Sequence, residues 1–326
     1  MRVRPFLLLP AIACALALAA SGCGGSGEET SRPAPAATEF PSAQGKTISD
    51  LLHDSGAKRS KLVIAPAALA FDVGENRYPF GVFTVSKEQV DDADVALYFA
   101  KSAEGPVVGP LPAQVSSLET KPAYRERGAE GPGEATTVYV VPKVNFDRKG
   151  PWLAIAMLKG EDGLEVSRIT QGPVVGGFPG IPGVGDKAPV IHTPTADDVG
   201  GDMAKIDTRV PPDQMHQVDF ADVVGKKPIV LVFATPALCQ TRVCGPVVDI
   251  AQQVADVYGD RADFIHMEVY KDNDISKGPR RQLTEYGLES EPWTFLVDDK
   301  GVVRDRLEGA YGVSELEEAM GTIVPG

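Results

Sequence analysis

Cys239-Gln240-Thr241-Arg242-Val243-Cys244 decides how the second half of this chain is read. Upstream lies Pro228-Ile-Val-Leu-Val-Phe-Ala234, an apolar run with the composition of a buried strand, and downstream a helix-like segment begins at Gly245. Two thiols therefore sit at a strand-to-helix junction. There the unpaired first N–H groups of a helix and the positive end of its dipole favour an anion, so a thiol's pKa falls. That is the chemistry of a redox cysteine. A structural disulfide or an inert buried pair has the same spacing, and spacing alone leaves the three readings open.

Working downstream, Val247, Ile250, Ala251, Val254 and Val257 recur at three and four residues, the period of a helix with one buried face. Residues 264–270 read as a strand, and 279–286 as a helix with Pro279 at its start, where a missing N–H is harmless. Two strands, 293–297 and 302–307, are joined by the hairpin turn Asp298-Asp-Lys-Gly301. A last helix is expected from Ser314, an N-cap with Glu317 three residues on, to Met320. The order is βαβα followed by ββα. Residues 219–223 read as a short helical turn into the central strand, and 195–224 as an added strand and loop.

Residues 228–322 resemble a thioredoxin domain. The resemblance rests on Val232-Phe233-Ala234 before the cysteines, the step from Cys244 to Tyr258, and Tyr286-Gly287-Leu-Glu-Ser-Glu-Pro292-Trp-Thr294, with Gly301 and Gly309 in place. Gly185-Asp-Lys-Ala-Pro-Val190 resembles the opening of redoxin-type members, which starts the domain near residue 185. The resemblance implies a cis peptide bond before Pro292, a substrate-binding site at Glu291, Pro292 and Trp293 beside the cysteines, Cys239 as the exposed nucleophile and Cys244 as the resolving thiol. The sequence also departs from the family. Four residues separate the cysteines where two are usual, Cys244-Gly245-Pro246-Val247 permits the opposite alignment, and the position of the family's buried acid falls on Val232, which cannot titrate. Glu291 or water would then move protons.

Upstream, Gly172-Pro-Val-Val-Gly-Gly-Phe-Pro-Gly-Ile-Pro-Gly-Val-Gly185 carries too much Gly and Pro for a helix or central strand, and a linker is expected at 173–184. Ahead of it, stretches at 61–70, 78–86, 93–101, 136–142, 151–158 and 164–170 are short, rich in Val, Ile, Leu and aromatics, and separated by turn signals. They predict an all-β sandwich over 58–172, similar in pattern to the immunoglobulin-like domains of bacterial envelope proteins. No constellation for chemistry stands out there. Asp91-Asp92-Ala-Asp94 lacks the spacing and glycine of a calcium loop and reads as a solvated strand edge.

The chain opens with Met1-Arg-Val-Arg4, an apolar run from Phe6 to Ala20 too short to span a bilayer comfortably, and Ala20-Ser21-Gly22-Cys23. This resembles a bacterial lipoprotein signal with its lipobox. It implies a signal peptide at 1–22, lipidation of Cys23, a flexible tether at 23–57, and an extracytoplasmic protein anchored to the cell membrane; ordinary secretion is the alternative. Cys14 then lies in the removed signal, and of the 4 cysteines only Cys239 and Cys244 remain in the folded region. In an oxidising compartment two such thiols are expected to pair. Closing so short a loop stabilises by only about 2 kcal/mol, little for a purely structural bridge.

A formal charge of −13 without a basic cluster argues against a nucleic-acid partner. The expected activity is thiol–disulfide exchange on protein thiols or disulfides, with no cofactor and no metal assigned. Three alternatives stand beside it. A non-catalytic binding module would keep a permanent disulfide. A peroxiredoxin would use Pro236, Thr241 and Cys244, although Pro236 is one residue too far from the cysteine. A Sco-type chaperone would hold copper through the two thiolates and a histidine. Glu291-Pro292-Trp293 offers no histidine, His266 reads as structural, His192 lies outside the motif, and His216 is the one donor left for copper.

Overall fold

The computed structural model describes residues 31–127, 135–169, 171–239 and 241–324. The expected signal peptide, Cys23 and residues 24–30 lie outside them. The described chain is mostly sheet with few helices. No helix among the described residues is long and apolar enough to cross a membrane.

Two larger sheets and one small three-stranded sheet make up the first part. One runs in the order Val63–Pro66, Gly74–Phe83, Thr137–Phe146, Gln114–Ser117, antiparallel throughout. The other runs Lys58–Arg59, Gly163–Arg168, Leu153–Gly160, Val95–Ala100, Val107–Pro112. Their facing residues form one apolar cluster, with Ile64, Phe80, Val82, Tyr139 and Val141 from the first sheet against Val95, Leu97, Phe99, Ala156 and Leu158 from the second. Alternation along Phe80 and Val82, or Leu97 and Phe99, follows from side chains pointing to opposite faces at successive positions. The strands at 107–112 and 114–117 were not expected, because Gly109, Pro110 and Pro112 argue against a strand. Both lie at sheet edges, where a missing N–H leaves no ladder bond unmade.

Val95-Ala-Leu-Tyr-Phe-Ala100 is buried at every position, which a sheet with one wet face would not allow. The outer-facing residues Ala96, Tyr98 and Ala100 pack against Phe40, Ala43 and Leu51. Residues 31–57, expected within the tether, are thus folded. The helix Ile48–Ser55 is closed at its start by a reciprocal capping box between Thr47 and Asp50. Tyr98 Oη donates to the Pro41 carbonyl at 2.8 Å. The Pro- and Ala-rich composition that implied flexibility conceals a few apolar side chains that cover the sheet.

The expected linker is also packed. Val174–Val175 pairs with Ala70–Phe71 and with Gly150–Pro151, and Ile181 enters the core of the second part.

That second part is a four-stranded sheet in the order Asp263–Met267, Ile229–Phe233, Trp293–Val297, Val303–Glu308. The first two strands are parallel, bridged by the helix Cys244–Tyr258, and the rest are antiparallel. This is the thioredoxin-like arrangement. Val230 and Val232 face one cluster with the long helix and with Val313–Met320, whereas Ile229, Leu231 and Phe233 face another. The final helix begins at Val313 with Gly312, not Ser314, at its N-cap. A Cβ at Gly312 would stand 2.9 Å from the Ser117 carbonyl oxygen, so the two parts meet there too closely for a side chain. Residues 195–224 contain no strand among those described; they form turns and the short helices Met203–Lys205 and Phe220–Val223.

The two parts share a core. Leu118, Val138 and Val140 from the first join Cys244, Val247 and Tyr311 in one cluster. Every residue from Cys244 to Ala251 is consequently buried, while Val257, expected in the buried stripe, is 61% exposed. Arg77 reinforces the junction, donating to the carbonyls of Glu308 and Ala310 and pairing with Glu315.

Candidate functional site

Cys239 and Cys244 are joined as a disulfide, with Cα atoms 6.0 Å apart. Cys244 is the first residue of the long helix and is fully buried. Cys239 lies in the preceding turn, half-buried, its Sγ 3.2 Å from Thr241 Oγ1. The helix N-cap, Val243, makes no side-chain capping bond, and Cys244 stands at the first helical position, the positive end of the helix dipole. The less buried cysteine and the one at the helix start are thus different residues.

The turn is held from several sides. Leu238 N–H donates to the Thr235 carbonyl at 3.3 Å, and Ala237 N–H to Thr208 Oγ1 at 3.1 Å. From the first part of the chain, Ala135 N–H reaches the Arg242 carbonyl at 3.4 Å.

The Glu291–Pro292 bond is cis. Phe233 pairs with Trp293, so Pro292 and Glu291 leave the same end of the strand pair as Ala234 and Thr235, which lead to the cysteines. Glu291 is half-buried. Burial pushes its carboxyl above the usual range, partly offset by a 3.5 Å hydrogen bond from Tyr270 Oη. Trp293 does not fit a partner-facing role as expected. Its ring is 1% exposed, stacks on Phe295, donates Nε1–H to Ser290 Oγ at 3.0 Å, and belongs to the cluster on the sheet face away from Cys244. Strand alternation from Pro292 turns it there. A cleft of about 660 Å³ beside Trp293, Arg77 and Arg306 contains neither cysteine.

Val232, at the position of the family's acid, lies in the cluster that holds Cys244. Its neighbour across the parallel pair is His266. His266 Nδ1 is 2.7 Å from Asp213 Oδ2, and Nε2 is 3.1 Å from the Ala234 carbonyl oxygen. Burial opposes charge on both groups, but their mutual attraction outweighs it, holding Asp213 at about 2 and lifting His266 to about 10. His216 stands next to this pair, ring centroids 5.1 Å apart, with Nε2 3.5 Å from Asp207 Oδ2 and 3.6 Å from Asp213 Oδ1. The two histidines, read separately from the sequence, are thus one buried group with two aspartates. The signal that could have found it is the spacing of Asp207, Asp213 and His216. His192 sits elsewhere, on the surface, 2.6 Å from Asp219.

Beyond the cluster, Arg209 Nε donates to Asp249 Oδ1 at 2.8 Å, and Glu126 N–H to Asp249 Oδ2 at 2.9 Å. Asp249 is on the first turns of the helix that carries Cys244. Burial pushes its carboxyl up, with Arg209 working against that shift.

No family model and no curated protein matches the sequence. Among solved structures, the chain is similar to a Chlorobium tepidum protein described as a thiol:disulfide interchange protein DsbE. The identity is 18%, the match covers 43% of this chain and 96% of that one, and the TM-score is 0.31. The thioredoxin-like assignment rests on the sheet order and the helical crossover.

Proposed function

We propose that this chain is an extracytoplasmic, lipid-anchored thiol–disulfide oxidoreductase that exchanges the Cys239–Cys244 disulfide with thiols or disulfides of proteins. The observation that carries the reading is a closed pair in which Cys239 is half-buried and Cys244 is fully buried at a helix N-terminus. In the reducing direction, the Cys239 thiolate attacks a substrate disulfide, a mixed disulfide forms, and the displaced substrate thiolate takes up a proton. Cys244 then attacks Cys239 Sγ, releasing the second substrate thiol and closing the pair. Two electrons pass to the substrate; the reverse sequence oxidises a dithiol. Glu291, its carboxyl raised by burial, is the titratable group of the proline loop suited to carrying the proton.

The anchor follows from the lipobox-like Ala20-Ser21-Gly22-Cys23, and the facing sheets of the first part are read as an immunoglobulin-like domain that supports the redox site. The copper-chaperone reading draws nothing from His216, which stands among Asp207, Asp213 and His266. The test is trapping. Cys244→Ser should accumulate a mixed disulfide through Cys239 with a model protein substrate, and Cys239→Ser should not. Trapping by Cys239→Ser alone would reverse the two roles, and no trapping by either would leave the disulfide structural.

A further inference from the structure

We propose that Asp207, Asp213, His216 and His266 together bind one divalent cation, zinc by the character of the ligand set, in a closed structural site. One potential ligand atom from each residue lies within 4.8 Å of the others, and all four residues are buried. Three come from one segment after Met203–Lys205, and His266 comes from the edge strand Asp263–Met267. Nitrogen and oxygen ligands at about 2.0–2.1 Å around a tetrahedral zinc stand roughly 3.4 Å apart. His216 Nε2 is 3.5 Å from Asp207 Oδ2 and 3.6 Å from Asp213 Oδ1, close to the edges of such a tetrahedron.

The second observation is independent of these spacings. Both ring nitrogens of His216 lack a hydrogen-bond partner among the described residues, although His216 is 1% exposed. Buried polar atoms are nearly always satisfied, and an imidazole facing two carboxylates without bonding either is explained by an ion between them. His266 is already arranged as a ligand. Its Nε2–H donates to the Ala234 carbonyl, the outer bond that commonly orients a metal-binding histidine and leaves Nδ1 for the ion. The carboxylates are held likewise. Asp207 accepts from Arg209 N–H at 2.8 Å and Asp213 N–H at 2.7 Å, and Asp213 accepts from Met215 N–H at 2.7 Å.

Charge balances as well. Two carboxylates and two neutral imidazoles cancel a double positive charge. On binding, the His266 Nδ1 proton leaves to solvent, and bonds from Asp213 and His266 to the cation replace their mutual hydrogen bond. A nitrogen and carboxylate set suits zinc better than Cu(I), which prefers thiolates. Four protein ligands in a buried position leave no open site for substrate, so the role is structural. The cation would tie the 206–216 segment to the sheet, and Thr208 of that segment accepts from Ala237 N–H in the cysteine turn.

The test uses the full-length chain carrying Cys239→Ser and Cys244→Ser, so that no thiolate of the pair can hold metal. After stripping with a chelator and exposure to Zn²⁺ alone, the desalted protein should retain one zinc per chain by mass spectrometry and melt at a higher temperature than the stripped form. Co²⁺ in its place should give visible d–d bands without thiolate charge transfer. His216→Gln, which keeps a buried polar side chain, and Asp207→Asn should each weaken zinc affinity at least tenfold, and adding zinc should no longer raise their melting temperatures. Failure of the doubly substituted protein to retain zinc, or retention by both variants at parental affinity, would overturn the site. Neither result bears on thiol exchange, so the proposed function stands or falls separately.

Discussion

Arg209→Ala removes the cation that neutralises Asp249 on the cysteine-bearing helix. The side chains are 2% and 7% exposed, and Arg209 also donates to the carbonyls of Pro211 and Tyr124, so it joins three segments at one buried point. Breaking a buried pair by removing one partner costs about 3–5 kcal/mol, because the remaining charge stays desolvated. At about 2–4 °C per kcal/mol for a chain of this size, the melting temperature should fall by roughly 6–20 °C. The pH dependence has a definite sign. The folded-state pKa of Asp249 is already raised by burial, against the pull of Arg209; without Arg209 it rises further. A raised carboxyl binds its proton more tightly folded than unfolded, so the defect should be small near pH 4, grow as pH rises toward the folded value, and level off above it. Arg209→Met with Asp249→Leu should recover part of the loss, since an apolar pair leaves no stranded charge. Thermal and denaturant unfolding of the oxidised protein between pH 4 and 8 reads all of this. A loss under about 1 kcal/mol, or a double variant equal to the sum of the single ones, would show that Arg209 does not neutralise a buried Asp249 charge.

Residues 185–326 expressed alone should bind a hydrophobic dye and melt well below the full chain, because Leu118, Val138 and Val140 no longer cover the cysteine-bearing helix; an equally stable fragment would show the shared core to be dispensable. Glu308→Ala strands Leu69 N–H, Ala70 N–H and the Ser290 hydroxyl and should cost about 1–3 kcal/mol in denaturant unfolding, with Glu308→Gln losing less than half of that. Cys23→Ala should move the protein out of the membrane fraction on cell fractionation, and retention there would place the anchor elsewhere.

The second part of the chain was legible because its signals are local. Ile229–Phe233 is a continuous apolar run between turn residues, the helix after it repeats at three and four, and Asp298 to Gly301 closes a hairpin. What the sequence hid depends on distant partners. Val248 and Asp249 look like the wet side of a helix until the first part covers them, Val248 within the shared core and Asp249 under Glu126. Phe40, Ala43 and Leu51 look like punctuation in a tether until the outer face of Val95–Ala100 is seen to need a lid. Trp293 adjoins the proline loop in sequence, yet alternation turns it to the opposite face. Of the candidate site, the cysteine pair was readable from its spacing and its place between a strand and a helix. The meeting of His216 with His266, 50 residues apart in sequence, was not, since only the packing of the 206–216 segment on the edge strand brings them together.

Whether the Cys239–Cys244 bond exchanges or merely braces the turn is read by its reduction potential against a glutathione redox series. Working disulfides span about −270 to −120 mV, whereas structural ones in secreted proteins lie below about −300 mV. The bond should titrate within the first range and equilibrate through a mixed disulfide with glutathione at Cys239. A potential below about −300 mV, with the bond unreduced across the series, would contradict exchange.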